Sequence, residues 1–567
     1  MSRGIGIWQL CLCAAVCAAV VAAGGKEAER GAPLFEDVTG AAGLGGIESA
    51  RVAFADFNGD GLPDVLVGGT RLLLNEGGRR FVGCHSERIL TPPGRPTPNV
   101  VQVGDVNNDG RIDLFLGRFI EPQRDGYADD GLRSEIWLGD GRGGFTLVPN
   151  SGVGEPPEAT ITACFVDYDR DGNLDLFVGN WYVVYGRGYE ACPDRLFRGR
   201  GDGTFEDVTA TAGLLGVSAV GQAGSCRPTY GVTHTDWNND GWQDLLVCSY
   251  GRQWNRLWRN NGDGTFTDVA AETGFDGDAD RCGTYPPELE RAPEPPFRAN
   301  GNTFDCAVAD FNNDGNMDCF LAEIAHWWAG PSSDRSMLLV NLGPAQDYRF
   351  RRAPEMIERL HASERWNEGD MHAGWLDVDN DGLLDLLIAS SDYPDEQILR
   401  LYRQRPDGRF DDWTDRLGFR WRNASQISLA DFDRDGATDI LVATNDRRLP
   451  EEHRSTHSLN IGLFRNAAAA RAGNRFLSIR LEGQAVGARV TVVTGEHRQI
   501  REVYGGLGHA GHRDDAECRF GVGRAESADL VEVRWPDAAG TVQSFKNVAT
   551  SRFYRLSRGG ELRHVER

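Results

Sequence analysis

The sequence predicts an all-β chain: a seven-bladed β-propeller followed by a small β-sandwich-like domain. Three observations carry that prediction. A nine-residue acidic phrase is repeated seven times, strand-like apolar stretches flank every copy, and an outer-strand segment stands before the first copy instead of after the last. The phrase is Asp-x-Asn/Asp-x-Asp-Gly-x-x-Asp, and its copies begin at Asp56, Asp105, Asp167, Asp236, Asp310, Asp377 and Asp431. They are spaced by 49, 62, 69, 74, 67 and 54 residues, the interval of propeller blades that carry insertions.

From its start, the chain has Arg3, an uncharged apolar run over 4–23 and then the polar GGKEAER. That layout predicts a secretory signal peptide, 1–23, followed by a linker, 24–33. An uncleaved anchor is the alternative, since the run approaches membrane-spanning length. No other segment has the length and apolarity to span, so the mature chain is expected in the cell envelope or secreted, as a monomer. Export permits disulfides. Cys192 with Cys226 and Cys282 with Cys306 are the expected pairs, Cys518 is left unpaired, and Cys164 and Cys319 sit inside strand-like runs as small hydrophobes.

The propeller is expected over 34–466. In each blade an apolar stretch (RVAFAD, NVVQVGD, ACFVD, GVTHTD, CAVAD, AGWLD, ISLAD) leads into the acidic turn, and a second strand (DVLVG, DLFLG and their equivalents) leaves it. A third strand and a tight turn follow, clearest in LFRGRGDGTFEDVT at 196–209. LFEDVTGAAGL at 34–44 reproduces FEDVTATAGL at 205–214, whereas the last repeat stops at LFRN, 463–466. Residues 34–40 are therefore expected to complete blade seven, which removes an exposed sheet edge. A linker at 467–473, a β domain of about seven strands at 474–560 and a tail at 561–567 complete the chain.

Inside each phrase, oxygen-bearing side chains at positions 1, 3, 5 and 9 surround a Gly at position 6 that allows a sharp turn. This donor set suits a hard cation such as Ca²⁺, at up to seven sites. The predicted ligands are Asp56, Asn58, Asp60 and Asp64; Asp105, Asn107, Asp109 and Asp113; Asp167, Asp169, Asp171 and Asp175; Asp236, Asn238, Asp240 and Asp244; Asp310, Asn312, Asp314 and Asp318; Asp377, Asp379, Asp381 and Asp385; Asp431, Asp433, Asp435 and Asp439. An EF-hand is excluded, because its bidentate Glu at position 12 is replaced here by Val67, Leu116, Val178, Val247, Leu321, Ile388 and Val442. The phrase reads as a metal-clamped hairpin turn.

These repeats resemble the FG-GAP/VCBS repeats of integrin-type propellers. The segments NRFLSIRLEG, VGARVTVVTG, REVYGGLG, RFGVG, ADLVEVRWPD and FKNV look like the ASPIC/UnbV domain. GLGHAGHRDD replaces a more aromatic stretch of that pattern. The resemblance implies calcium and an extracellular setting, and it supplies no ligand.

The net charge of −24 equals the number of motif carboxylates, three in each of four turns and four in each of three. The acidity thus belongs to the turns, and a nucleic-acid partner, which needs a basic footprint, is excluded. No G-x-S-x-G, H-E-x-x-H or phosphate-binding Gly-rich loop occurs. The function read from the sequence is an extracellular binding or adhesion protein for glycan or protein. A propeller enzyme acting on extracellular polysaccharide or protein is the alternative.

Strand order separates two faces. The acidic turns join first to second strands and share a face with the tight turns, so every long insertion emerges on the opposite face. Loops displayed on a stiff scaffold are where binding usually lives. The ligand-binding candidates there are Trp181, Tyr182, Trp254, His326, Trp327, Trp328, His372, Tyr393 and His457, with Tyr185 as a further aromatic platform. They centre on blades three to seven, with Trp327 or Trp328 as anchor. Packing of the insertions onto the ring is the competing reading of the aromatics. His326, His372 and His457, near Glu323, Asp370 and Asp392, read as hydrogen-bonded structural or surface histidines; convergence on a transition metal is the alternative. His234 is expected to orient the fourth turn.

Overall fold

In a computed structural model of the chain, residues 32–566 are described apart from 85–96, 218–219, 223, 360–365, 394–396, 447–448, 450, 452–459 and 512. The leader at 1–23 and His457 lie outside the described residues.

The repeating unit is four antiparallel strands hydrogen-bonded in chain order. In the fourth blade these are Thr229–Thr235, Asp244–Ser249, Arg256–Asn260 and Phe266–Asp268. The first two strands are buried along their whole length, which is why they read as unbroken apolar or small-residue runs. The described residues form seven such units. In the last, Ala424–Ala430, Asp439–Thr444 and Gly462–Asn466 are completed by Phe35–Asp37 from the other end of the chain, with Phe35 opposite Asn466. The fifth and sixth units merge into one sheet where Asp318–Ala325 runs on to pair with Glu368–Leu376.

An apolar layer separates each pair of neighbouring units, seven layers among the described residues. The one between the last and first units holds Phe54, Leu73, Phe432 and Leu463, so the ring closes. Each such side chain contributes about 1.5–3 kcal/mol by leaving water. Inner-strand N–H groups with no partner in their own sheet are satisfied across the seam, Val52 donating to Gln426 Oε1 at 2.8 Å and Phe54 to Ser428 Oγ at 3.0 Å.

Inner strands of units three to seven share a defect at one level. Register shifts fall between Thr160 and Thr162, Thr229 and Gly231, Thr303 and Asp305, Asp370 and His372, and Ala424 and Gln426. A bulge re-aims the extra side chain. Here Ile161, Tyr230, Phe304 and Met371 are turned into one small apolar cluster with Trp181 and Tyr182.

The C-terminal domain is a sandwich of two four-stranded sheets. One orders Cys518–Gly523, Arg475–Glu482, Arg552–Ser557 and Arg563–Val565; the other orders His497–Glu502, Arg489–Thr494, Ser527–Arg534 and Val542–Ala549. Leu477, Val490, Val492, Phe520, Val533 and Trp535 fill the space between them. The segment 561–567 is not a bare tail, because Arg563–Val565 adds a strand on Arg552–Ser557 too short to show an alternation. The linker at 467–473 contains a helical turn, Ala468–Ala472, ended by Gly473 in the left-handed conformation.

The sandwich is seated on the acidic-turn face, and the connection between His497–Glu502 and Cys518–Gly523 enters the ring's centre. There it hydrogen-bonds the inner strands of four units. Phe165 N–H donates to Gly505 O at 3.1 Å, Val232 N–H to Gly508 O at 3.2 Å, Leu429 N–H to Asp514 Oδ1 at 2.7 Å, and Arg513 Nη1 to Val103 O at 2.7 Å. GLGHAGHRDD is this axial loop.

Candidate metal turns and an opposing aromatic pocket

All seven acidic turns share one bond, the N–H of the position-6 Gly donated to Oδ2 of the position-1 Asp. In the seventh, Asp431 Oδ1 accepts the Asp435 N–H at 2.9 Å and its Oδ2 the Gly436 N–H at 2.9 Å. Asp439, at position 9, is fully buried. Its two oxygens accept N–H groups of Phe432 and of Asn466 on the third strand, at 3.1 and 2.7 Å. Position 9 therefore ties turn to blade as well as facing the other carboxylates. Gly436 has φ +96°, a backbone that a Cβ would strain, which explains the invariant Gly at position 6.

Position 4, a variable letter in the phrase, also has a job. It is left-handed in every copy, and in five of the seven its side chain hydrogen-bonds the next turn, Asn108 Nδ2 donating to Asn173 Oδ1 in the second. Asn239 Nδ2 donates to Gly315 O, Asn313 Nδ2 to Gly382 O, Asn380 Nδ2 to Gly436 O and Arg434 Nη1 to Gly61 O. The turns are thus laced around the face.

Several of these aspartate clusters can hold a metal ion. Asp167, Asp169 and Asp175; Asp377, Asp379 and Asp381; and Asp431, Asp433 and Asp439 each bring carboxylate oxygens within 4.8 Å of one another. Buried Oδ1 atoms of Asp56, Asp167 and Asp236 have no hydrogen-bond partner, which fits a cation as the missing partner. Burial, aided by neighbouring aspartates, pushes Asp167 and Asp377 up to about 7. Like charges this close need a counter-ion.

An internal charge balance accompanies the clusters. Turns with Asp at position 3 carry an arginine on the third strand: Arg198 lies 2.8 Å from Asp169, Arg403 lies 3.0 Å from Asp379, and Arg465 lies 4.0 Å from Asp433. Where position 3 is Asn58, Asn107 or Asn312, the equivalent residue is Leu74, Leu138 or Val340; the fourth turn departs from this balance, with Asn238 at position 3 and Arg259 at the equivalent place. Four carboxylates plus a guanidinium and three carboxylates alone leave the same formal charge of −3. Further arginines arrive from the sandwich, Arg480 at 3.8 Å from Asp56, and Arg489 at 3.7 Å from Asp236, which Arg534 also pairs. This face is a domain interface, not an open floor.

His234 does not orient the fourth turn alone. Its Nε2 accepts the Gly505 N–H at 2.9 Å, which leaves the ring proton on Nδ1 to be donated to Gln243 Oε1 at 2.6 Å. The residue anchors the axial loop.

On the insertion face, a cavity of about 210 Å³ opens between blades three, four and five. Of the predicted ligand residues, Tyr182, His326 and Trp328 line it. Tyr393 stands behind, its Oη 2.9 Å from His326 Nδ1. Trp181 is only 6% exposed and is absent from the lining; it lies edge-on to Tyr182 and Tyr230 with centroids 5.1 and 4.6 Å away. Trp254 lies elsewhere, flanked by Arg227 and Arg281. Trp327 is absent from the lining and donates its backbone N–H to Asn367 Oδ1. His372 is buried on the axis, 3.4 Å from Asp305, with its ring 6.0 Å from His509 of the axial loop. Among the described residues, none of the clusters with ligand atoms within 4.8 Å includes a histidine, so His326 and His372 share no such cluster.

Sequence reasoning missed Tyr189, Tyr250, Arg252 and Arg298, which complete the lining. The predicted disulfides are corrected too, since Cys192, Cys226, Cys282 and Cys306 are free thiols. Cys306 is packed in the core beside Cys319 and Cys248, whereas Cys282 is exposed and meets Thr284 Oγ1 at 2.9 Å.

These features define a β-propeller built from FG-GAP-like repeats and capped by a sandwich. The chain matches the FG-GAP-like repeat over residues 236–321 and 377–442, and the ASPIC and UnbV family over 480–563. It carries both modules. It is similar to cartilage acidic protein 1 of Mus musculus, 26% identical over 403 residues covering 66% of this chain and 51% of the mouse protein. The Homo sapiens protein is 26% identical over 393 residues, covering 66% of this chain and 50% of its own length. The chain thus spans about half the length of the curated relatives it matches. Among solved structures, the Aleuria aurantia lectin in complex with Fucalpha1-6GlcNAc is similar with a TM-score of 0.34 and 9% identity, over 66% of this chain and 97% of the lectin. A rhamnogalacturonan lyase is similar with a TM-score of 0.30 and 13% identity, over 74% and 86%. No helix among the described residues is long and apolar enough to cross a membrane.

Proposed function

We propose that this chain is an exported, calcium-loaded binding protein that recognises an extracellular glycan on the insertion face. One observation carries the reading. Of the eight large apolar side chains exposed among the described residues, six sit on this face: Phe119, Tyr127, Tyr185, Tyr189, Leu215 and Val217. Tyr185 is 52% and Tyr189 37% exposed at the rim of the cavity, and Phe119 is 41% exposed on the neighbouring insertion. Clustered exposed aromatics mark a recognition surface, and flat rings with a polar edge suit the faces of sugar rings.

Calcium in this reading is structural. The carboxylates at positions 1, 3, 5 and 9 would hold it, and the ion would supply the positive charge that lets them stay ionised at close range. The cavity lining contains no Asp or Glu, so it offers no carboxylate pair for glycoside hydrolysis, and this favours binding over cleavage.

A glycan array probed with the calcium-loaded chain, with bound sugars examined for breakage, tests the proposal. Tyr185→Ala is expected to cost about 1–3 kcal/mol of binding while leaving the melting curve unchanged, because the residue is more than half exposed. Binding that survives this substitution and a Trp328→Ala exchange would move the site elsewhere.

A further inference from the structure

We infer that the pocket selects an acidic sugar, a saccharide unit bearing a carboxylate or sulfate; this rests on the glycan reading above and narrows it. Charge is the first ground. In a chain of net charge −24, the lining holds two arginines and a histidine and no carboxylate. Both arginines are fixed from behind by a single acid. Arg298 Nη1 donates to Glu294 Oε2 at 2.9 Å, and Arg252 Nη2 pairs with Glu294 Oε1. Two guanidinium groups sharing one carboxylate leave one positive charge uncompensated at the cavity wall.

Rigidity is the second ground. Arg252 is buried, with Nη1 on Ser332 Oγ at 3.1 Å and Nη2 on Tyr285 Oη at 3.1 Å. Arg298 is held by Gly251 O through Nε at 3.0 Å and by Tyr189 Oη through Nη1 at 3.0 Å. A guanidinium already locked in place loses little freedom on meeting an anion, and with Nε and Nη1 of Arg298 engaged its Nη2 is left to donate a charge-assisted hydrogen bond to a carboxylate or sulfate oxygen.

The third ground is the shape of the rest. Tyr185 stacks on Trp181 with centroids 5.8 Å apart, and Trp328 stacks on His326 at 4.8 Å, so flat faces stand on two sides of a space sized for one or two sugar rings. Burial, aided by the Arg252 charge, lowers His326 to about 4, which keeps the imidazole neutral and able to hydrogen-bond a hydroxyl. An acidic peptide would satisfy the arginines and leave the aromatic faces without a ring to stack on.

Isothermal titration of the full calcium-loaded chain decides the matter, using digalacturonate and a sulfated heparin disaccharide, each against a neutral disaccharide of similar size, and a tetraglutamate peptide. The expected result is binding of at least one acidic sugar tenfold or more tighter than its neutral counterpart, weakened tenfold or more by Arg298→Gln and by Tyr185→Ala, with both variants melting as the parent does. Preference for the carboxylate or the sulfate arm identifies the anion. Equal affinity for acidic and neutral sugars, or indifference to Arg298→Gln, overturns the acidic class while the glycan reading stands. Peptide binding in place of sugar overturns both, and so does a lack of any saccharide binding here and on the array.

Discussion

Removing divalent cations is expected to lower the melting temperature by on the order of 10 °C or more, and the loss is expected to grow with pH. A cation that binds only the folded state at a hundredfold excess over Kd adds about 2.7 kcal/mol per site, and several turns act together. The pH dependence follows from the turns' own carboxylates. Burial pushes Asp64, Asp113, Asp167, Asp310 and Asp377 up to about 7 in the metal-free fold. An unfolded Asp titrates near ~3.9, so these groups favour the metal-free fold when protonated, and that contribution is lost as pH rises through about 7. Cation binding has the opposite trend, because its ligands must be deprotonated. Melting curves in EGTA and in excess Ca²⁺ should therefore lie close together near pH ~5 and move apart toward pH ~8. A gap that is absent, or that closes as pH rises, would contradict the metal role.

Gly505→Ala is expected to be among the most damaging single substitutions in the chain. Gly505 lies in the axial loop, and a Cβ there would press into the Phe165 carbonyl of the third blade's inner strand. Avoiding that collision means withdrawing the loop, which breaks the bonds from Gly505 to Phe165 and His234 and leaves His234 Nε2 buried without its donor. Overpacking together with an unsatisfied buried polar atom predicts a loss of about 3 kcal/mol or more. The sandwich has its own core, so the variant should show two unfolding transitions and cleavage by protease near 467–474. Gly40→Ala, with nothing within 4 Å of the added Cβ, is the control. A single transition at the parent temperature for Gly505→Ala would mean the axial loop does not hold the domains together.

The blades and their two faces were legible in the sequence because each depends on local signals. Seven acidic turns mark the first hairpins, and strand order alone decides which connections share a face. Phe35 closing the last blade was legible for the same reason, as a repeat fragment out of place. What the sequence hid depends on packing across long separations. Trp327 and Trp328 are adjacent and look equivalent, but only Trp328 lines the cavity. Tyr250 and Arg298 come from different loops that meet only once the ring has closed. The bulges that aim Tyr230 and Phe304 beneath the pocket leave no local mark, since Tyr and Phe in an inner strand read as ordinary core. GLGHAGHRDD read as a departure from a domain pattern, yet its glycines are what let a backbone pass down the axis, Gly508 at φ +51° against Asp305. The pairing of Cys282 with Cys306 failed because the two ends of one link face opposite ways, Cys282 exposed and Cys306 in the core, which sequence position does not disclose.

The central claim, that the acidic turns exist to hold divalent cations, is tested most directly by measuring calcium bound per chain. Protein dialysed at about pH 7.5, where the turn carboxylates are ionised enough to bind, would be assayed by elemental mass spectrometry beside Asp167→Asn and Asp431→Asn variants. The account predicts more than one tightly held calcium ion per parent chain, and a fall in that number for each variant. A parent chain that retains no calcium, or variants with the parent's full complement, would contradict it.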